Sequence, residues 1–111
     1  MRKVSLTVYD RAMLKIAAQQ TKGSIESMRK YIRADDVLQL GKIPDSLKDC
    51  SKVEPKEYLL EDAEFEYVKT MFTDIKEWPL TMAIDIIATT ERLDAAQIAP
   101  KKGAVSIVDK D

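Results

Sequence analysis

The chain has 111 residues, 45% of them apolar and 33% charged, with a formal net charge of −1; that supports one domain around one core and, with Leu, Ile, Val and aromatics spread along the chain, excludes a disordered polyelectrolyte. Histidine is absent and Cys50 is the single cysteine, which excludes Ser-His and Cys-His catalysis, a structural zinc site within one chain and an intrachain disulfide. The net charge hides a polarity: residues 1–33 carry Arg2, Lys3, Arg11, Lys15, Lys22, Arg29, Lys30 and Arg33 against Asp10 and Glu26, while acids outnumber bases in the remainder.

Lys3 to Val8 alternate, with Val4, Leu6 and Val8 on one side and Lys3, Ser5 and Thr7 on the other. That period of two predicts a half-buried strand. Asp10 offers an N-cap for a helix over Ala12 to Gln20, and Gly23 suits the left-handed position that ends it. Ser24 begins a second helix whose apolar stripe is Ile25, Met28 and Ile32, extended by Val37 and Leu40, with Arg29, Lys30 and Arg33 beside it. Gly41 and Pro44 close this basic part.

Residues 41–55 are polar and rich in breakers, and read as a linker with one short turn at Ser46 to Lys48. An acidic helical part, 56–99, follows. Lys56 to Leu60 is a second strand. Phe65, Val68, Phe72 and Ile75 then recur at helical spacing behind Glu61, Asp62, Glu64 and Glu66, acids that suit the positive end of a helix dipole. Trp78-Pro79 breaks the pattern, and Pro79 fits the first position of a helix over Leu80 to Gln97. Phe65, Val68, Phe72 and Ile75 should face Leu80, Ile84 and Ile87 as an antiparallel pair, with Trp78 at the bend as a core plug or a partner anchor. Residues 100–111 are a C-terminal tail or strand, with Ala104 to Val108 as its strand-like portion. The fold expected is α+β and helix-dominated, a single domain over 1–111 with about four helices and two or three short strands. A strand, an acid and a helix also occur twice at a spacing of 52 residues, with Met13 and Ile16 matching Phe65 and Val68.

No stretch reaches the roughly 18 apolar residues of a membrane span, and no apolar segment follows Arg2 and Lys3 as a secretory signal requires. With one cysteine, a reduced cytoplasmic protein is expected, and no membrane partner. Cys50 reads as a structural thiol; Lys48 and Lys52 flank it, but Asp49 opposes them. The acids at 61–66 are not spaced to converge on one metal ion, Asp62 and Glu66 excepted, and the three isolated glycines make no phosphate loop. No catalytic residue, metal or cofactor is assigned, and the expectation is not an enzyme.

The strand, helix, Gly23 and second helix of residues 2–33 resemble the ribbon-helix-helix DNA-binding family, in which a dimer pairs two strands whose outward side chains read the major groove. The resemblance implies base contacts from Lys3, Ser5 and Thr7, and phosphate contacts from Arg2 and from residues near Ser24. Arg29, Lys30 and Arg33 add candidate contacts to nucleic acid or to another anionic partner. The Lys-Val-Ser-Leu-Thr-Val-Tyr-Asp opening and the Leu-Glu-Asp-Ala-Glu-Phe-Glu-Tyr-Val helix start resemble the small accessory proteins of tailed bacteriophages, which implies a regulatory or assembly protein. Opposite charge on two parts of one chain favours contact between copies. The leading expectation is a protein-interaction or assembly module that forms a homo-oligomer, and the alternative is a DNA-binding regulator.

Overall fold

Val4 and Leu6 are buried while Ser5 between them is exposed, so the first strand, β1 (Arg2–Leu6), has the alternation its sequence requires. It stops at Leu6 because Thr7 turns the chain into a helix. The Thr7 hydroxyl accepts the Asp10 amide at 3.0 Å, and the Asp10 carboxylate accepts the Thr7 amide at 2.9 Å. This reciprocal box satisfies two backbone donors and starts α1 at Val8, running to Gln20. Asp10 is therefore the third helical residue and not the cap, Val8 belongs to the helix, and Thr7 is buried and not an outward strand residue.

The computed structural model describes residues 1–98. Further elements are α2 (Ile25–Leu38), β2 (Lys56–Leu60), α3 (Asp62–Thr73), α4 (Ala83–Asp94) and β3 (Gln97–Ile98). The architecture is α+β and helix-dominated, with four α-helices and a three-stranded antiparallel sheet in the order β2-β1-β3 among the described residues. The strand expected at Ala104 to Val108 lies outside the described residues.

Small residues end α1 and let α2 approach. Thr21 leaves the helix in an extended conformation and its hydroxyl donates to the Ala17 carbonyl at 2.7 Å. Gly23 is thus not a left-handed cap. Its smallness answers a close approach, since a Cβ there would stand 3.0 Å from Ser27 Cβ. Ser24 caps α2 by accepting the Ser27 amide at 3.1 Å. The helix ends at a left-handed Gln39 (φ 51°), not at Gly41. Asp35 accepts the Leu40 amide at 2.7 Å, and Arg11 Nε donates to the Leu38 carbonyl at 2.8 Å.

Residues 41–55 are more than a linker. Two short 3-10 turns, Leu40–Lys42 and Leu47–Asp49, let Leu40, Ile43 and Cys50 enter the core. The Tyr9 amide, an orphan of the α1 N-terminus, donates to the Ser51 carbonyl at 2.9 Å. β2 has the predicted bounds, and α3 buries Phe65, Val68, Met71 and Phe72. Pro79 precedes a 3-10 turn at Leu80–Met82, so α4 begins four residues later than the proline suggests.

β1 pairs β2 along its whole length, from Arg2 opposite Leu60 to Leu6 opposite Lys56. β3 adds only the pairs Arg2 with Ile98 and Lys3 with Gln97. The two strand-helix-helix units then exchange their second helices: α2 packs on β2 and α3, while α4 packs on β1 and α1. The internal echo is real as architecture, but its spacing is 54 residues (Arg2 to Lys56, Val8 to Asp62), not 52. Strand and helix starts set the register, and Asp10 and Glu64, both buried, hold the same position.

The exchange is fastened by Asp10. Its carboxylate accepts the Thr89 hydroxyl at 2.6 Å and Arg92 Nη1 at 2.9 and 2.7 Å, joining α4 to the start of α1. Asp10→Ala should lower the unfolding free energy by about 3 kcal/mol, the low end for a broken buried pair because Arg92 keeps some water contact. Urea unfolding with an unchanged m-value measures it, and a loss under about 1 kcal/mol would show that the cluster is dispensable.

Candidate interaction surfaces

Half of the basic N-terminal part is consumed inside the fold. Arg2 donates to the Ala96 carbonyl at 3.4 Å and stacks over Phe65, 5.4 Å from its centroid. Lys3 lies 3.7 Å from Glu57 on the neighbouring strand. Arg11 covers the Tyr58 ring while capping α2, and Lys15 pairs with Asp45 at 2.8 Å. Ser5 is exposed on the open face of the sheet. Arg29 and Arg33 are exposed and Lys30 half-buried on α2, and among the described residues neither these three nor Lys22 makes an ion pair.

The α2 stripe faces water except at Leu40, which is buried. Ile25 is 70% exposed, with Met28 and Ile32 more than half exposed. The helix packs instead through Ala34 and Leu38, with Tyr31 half-buried beside them. The expected pairing of α3 with Leu80, Ile84 and Ile87 is likewise overturned. Leu80 is 91% and Ile84 85% exposed, and Ile87 stands with them. α4 turns Ile86, Thr89 and Leu93 inward, with Met82 from the turn before it. Both helices are apolar on two faces, and the inner face of each combines a small residue, Ala34 or Thr89, with a large one, Leu38 or Leu93.

The two outward stripes occupy matching places. Each lies opposite the inner residues of a second helix in a strand-helix-helix unit, at Ile25, Met28 and Ile32 on α2 and at Ile84 and Ile87 on α4, with Leu80 exposed on the 3-10 turn before α4. Arg29 and Arg33 flank the first; Glu91, exposed, continues the second. A scan of the sequence finds such faces when a helix shows apolar residues on opposite sides of the wheel, since only one side can reach a single core.

Trp78 is half-buried and packs on Phe72 with ring centroids 5.4 Å apart. Tyr9 joins α1 to α4 by donating its hydroxyl to Asp85 at 2.9 Å, beneath Lys52, whose ammonium is 4.7 Å from the ring and 3.2 Å from Asp85. Burial first, then the hydrogen bond to Asp85 and its charge, push the Tyr9 hydroxyl up from 10.0 to about 12. Burial also pushes the Cys50 thiol up, aided by Asp49; the opposing pull comes from Lys15 and not from the flanking Lys48 and Lys52. A protonated, buried thiol suits a structural role. Among the described residues no three acids or cysteines gather as a metal site, and no helix is long and apolar enough to cross a membrane.

Comparisons with the profiles of known protein families, with curated proteins and with solved structures find no match.

Two measurements check these placements. Trp78→Ala should cost roughly 2 kcal/mol, about half the usual loss for a fully buried ring, and leave association unchanged. Loss of association with unaltered unfolding would instead make Trp78 an anchor. For Tyr9, a raised pKa means the folded state holds the proton longer than the unfolded chain. Its contribution is complete below pH 10 and is lost as pH climbs toward 12. Tyr9→Phe should flatten the fall in stability over that window. An equal fall in the variant would assign it to other groups.

Proposed function

We propose that this protein is a non-enzymatic interaction module that self-associates as part of an assembly. The observation that carries this reading is the pair of outward apolar stripes on α2 and α4, presented by helices whose other faces already fill the core. Ordinary surfaces scatter single apolar residues; rows at helical spacing are what docking faces use. The charge polarity adds orientation, because the basic face on α2 and the acidic one near α4 attract between copies. The likeness of the chain to phage accessory proteins fits an assembly role. Sedimentation of the purified protein at rising concentration should show a species larger than the monomer, with association weakening in high salt through the charged flanks. A strict monomer at high concentration and low salt overturns the proposal.

A second reading, a DNA-binding regulator, is favoured by one observation: Lys22, Arg29, Lys30 and Arg33 sit on one segment without ion-pair partners among the described residues. The resemblance of residues 2–33 to ribbon-helix-helix proteins supports it, although β1 pairs β2 along its whole length and β3 at Arg2 and Lys3, so its edges are taken within the chain and not by a second copy's strand. Two features weigh against reading the groove with the sheet. Lys3 faces Glu57, whose carboxylate would meet phosphate, and β3 widens the ribbon beyond the two strands that a major groove of about 12 Å admits. Duplex retention should fall steeply with salt, and removing Arg29, Lys30 and Arg33 together should flatten that slope by about one unit per lost phosphate contact. No retention at about 50 mM salt eliminates it.

A further inference from the structure

We infer that the cleft between the end of α1, the start of α2 and the end of α3 binds a free aromatic α-amino acid. This goes beyond self-association and does not depend on it. Two adjoining hollows, each of about 350 Å³, share Thr21, Lys22, Tyr67 and Met71 in their walls. Each lies within the roughly 300–1,000 Å³ of small-molecule sites. The first hollow suits an aromatic ring. Ala18, Met28 and Met71 give it an apolar lining, and the half-buried Tyr31 and Tyr67 add two rings. Of the tyrosine hydroxyls among the described residues, only that of Tyr9 finds a protein partner. Burial first, then Asp35 and Tyr67, push the Tyr31 hydroxyl up, so it stays a proton donor at neutral pH. A Cβ at Gly23 would stand 3.6 Å from the Tyr67 hydroxyl, so the bare glycine leaves the space beside that hydroxyl open.

The second hollow holds opposite charges that do not meet. Lys22 and Asp74 both line it, both are exposed, and neither makes an ion pair among the described residues. Lys22 is the one cation lining either hollow and Asp74 the one anion. Asp74 caps α3 and Thr21 caps α1, and neither helix has a basic residue in its last turn. The carbonyl ends of two helices therefore add to the Asp74 carboxylate in attracting an ammonium group. Lys22 is left to receive a carboxylate. An α-amino acid carries both charges on one carbon, and its side chain leaves that carbon for the first hollow, past the Tyr67 that lines both. An aromatic amine or an aromatic acid would satisfy only one of the two charges.

Titration calorimetry and amide NMR test the site, with L-phenylalanine as the probe and the full chain in whatever association state it adopts. L-Phenylalanine should bind saturably, with shifts centred on Lys22, Gly23, Tyr31, Tyr67 and Met71. Phenethylamine, which lacks the carboxylate, 3-phenylpropionate, which lacks the ammonium, and L-alanine, which lacks the ring, should each bind more weakly. Lys22→Met and Asp74→Asn alter exposed side chains, so their thermal melts should match the unaltered chain. Lys22→Met should weaken L-phenylalanine about fivefold, the upper range for a solvent-exposed ion pair, and leave phenethylamine unchanged. Asp74→Asn should weaken L-phenylalanine to a similar degree and leave 3-phenylpropionate no weaker. Absence of saturable L-phenylalanine binding at roughly 10 mM, beyond the range of a millimolar site, overturns the inference. So does equal affinity for phenethylamine, which would make this a site for an aromatic amine, or for L-alanine, which would show that the ring is not recognised. If either variant weakens every probe alike, the charge assignment is wrong and the inference falls with it.

Discussion

A single buried carboxylate organises this fold. Asp10 sits within hydrogen-bond reach of its own helix cap, of Thr89 and of Arg92, so one side chain ends β1, starts α1 and anchors α4. The Asp10 side chain is only 2% exposed, and an ion this buried is tolerated only when its oxygens are fully engaged. Each partner solves a separate problem. The Thr7 amide is an orphan of the helix start, the Thr89 hydroxyl is fully buried, and Arg92 supplies the compensating charge. A hydrophobic residue at position 10 would take this partner from the Thr7 amide and the Thr89 hydroxyl and leave Arg92 only its water contact.

The anchor matters because α4 packs more on the other half of the chain than on its own. β1 and β2 pair antiparallel, and each half lends its second helix to the other. Such an exchange buries Val4 and Leu6 from one strand and Leu60 from the other under helices that arrive late in sequence. It also fixes which helical face points in. The close crossing over β1 and α1 accepts Thr89 and Leu93, and the equivalent crossing over β2 and α3 accepts Ala34 and Leu38. The larger stripes are then left outside, and the surface that supports self-association is a by-product of where the two halves interlock.

The basic N-terminal part shows how a tertiary structure redistributes charge. Arg2 and Arg11 hold their guanidinium groups over the rings of Phe65 and Tyr58 and bond backbone carbonyls, so their charge is used in cation–π contacts within the fold. Lys3 and Lys15 pair with acids from the later part of the chain. Part of the attraction between the two charge halves is thus satisfied within one molecule, and the remainder is concentrated on α2.

Local signals carried much of the backbone. The alternation of Lys3 to Leu6, the cap at Ser24, the bounds of Lys56 to Leu60 and the periodicity of Phe65, Val68 and Phe72 all act between residues close in sequence, so composition and spacing sufficed to place two strands, the start of α2 and the buried face of α3. The start of α1 was missed by a short distance because Thr7 and Asp10 share one box and either can be read as the cap. Of the candidate contacts, Arg29 and Arg33 stayed on the surface, Lys30 half-buried, while Thr7 was drawn into the core and Arg2 and Lys3 into internal contacts. What the sequence by itself determined was four helices, their amphipathic character and the first two strands; β3 falls where the last helix was expected to run on to Gln97. Which side of α2 and α4 would face the core was decided only by the tertiary structure, because each carries two apolar faces and the choice depends on partners more than 20 residues away: on the room available beside Asp10, β1 and β2, and on the exchange of helices that those contacts hold in place.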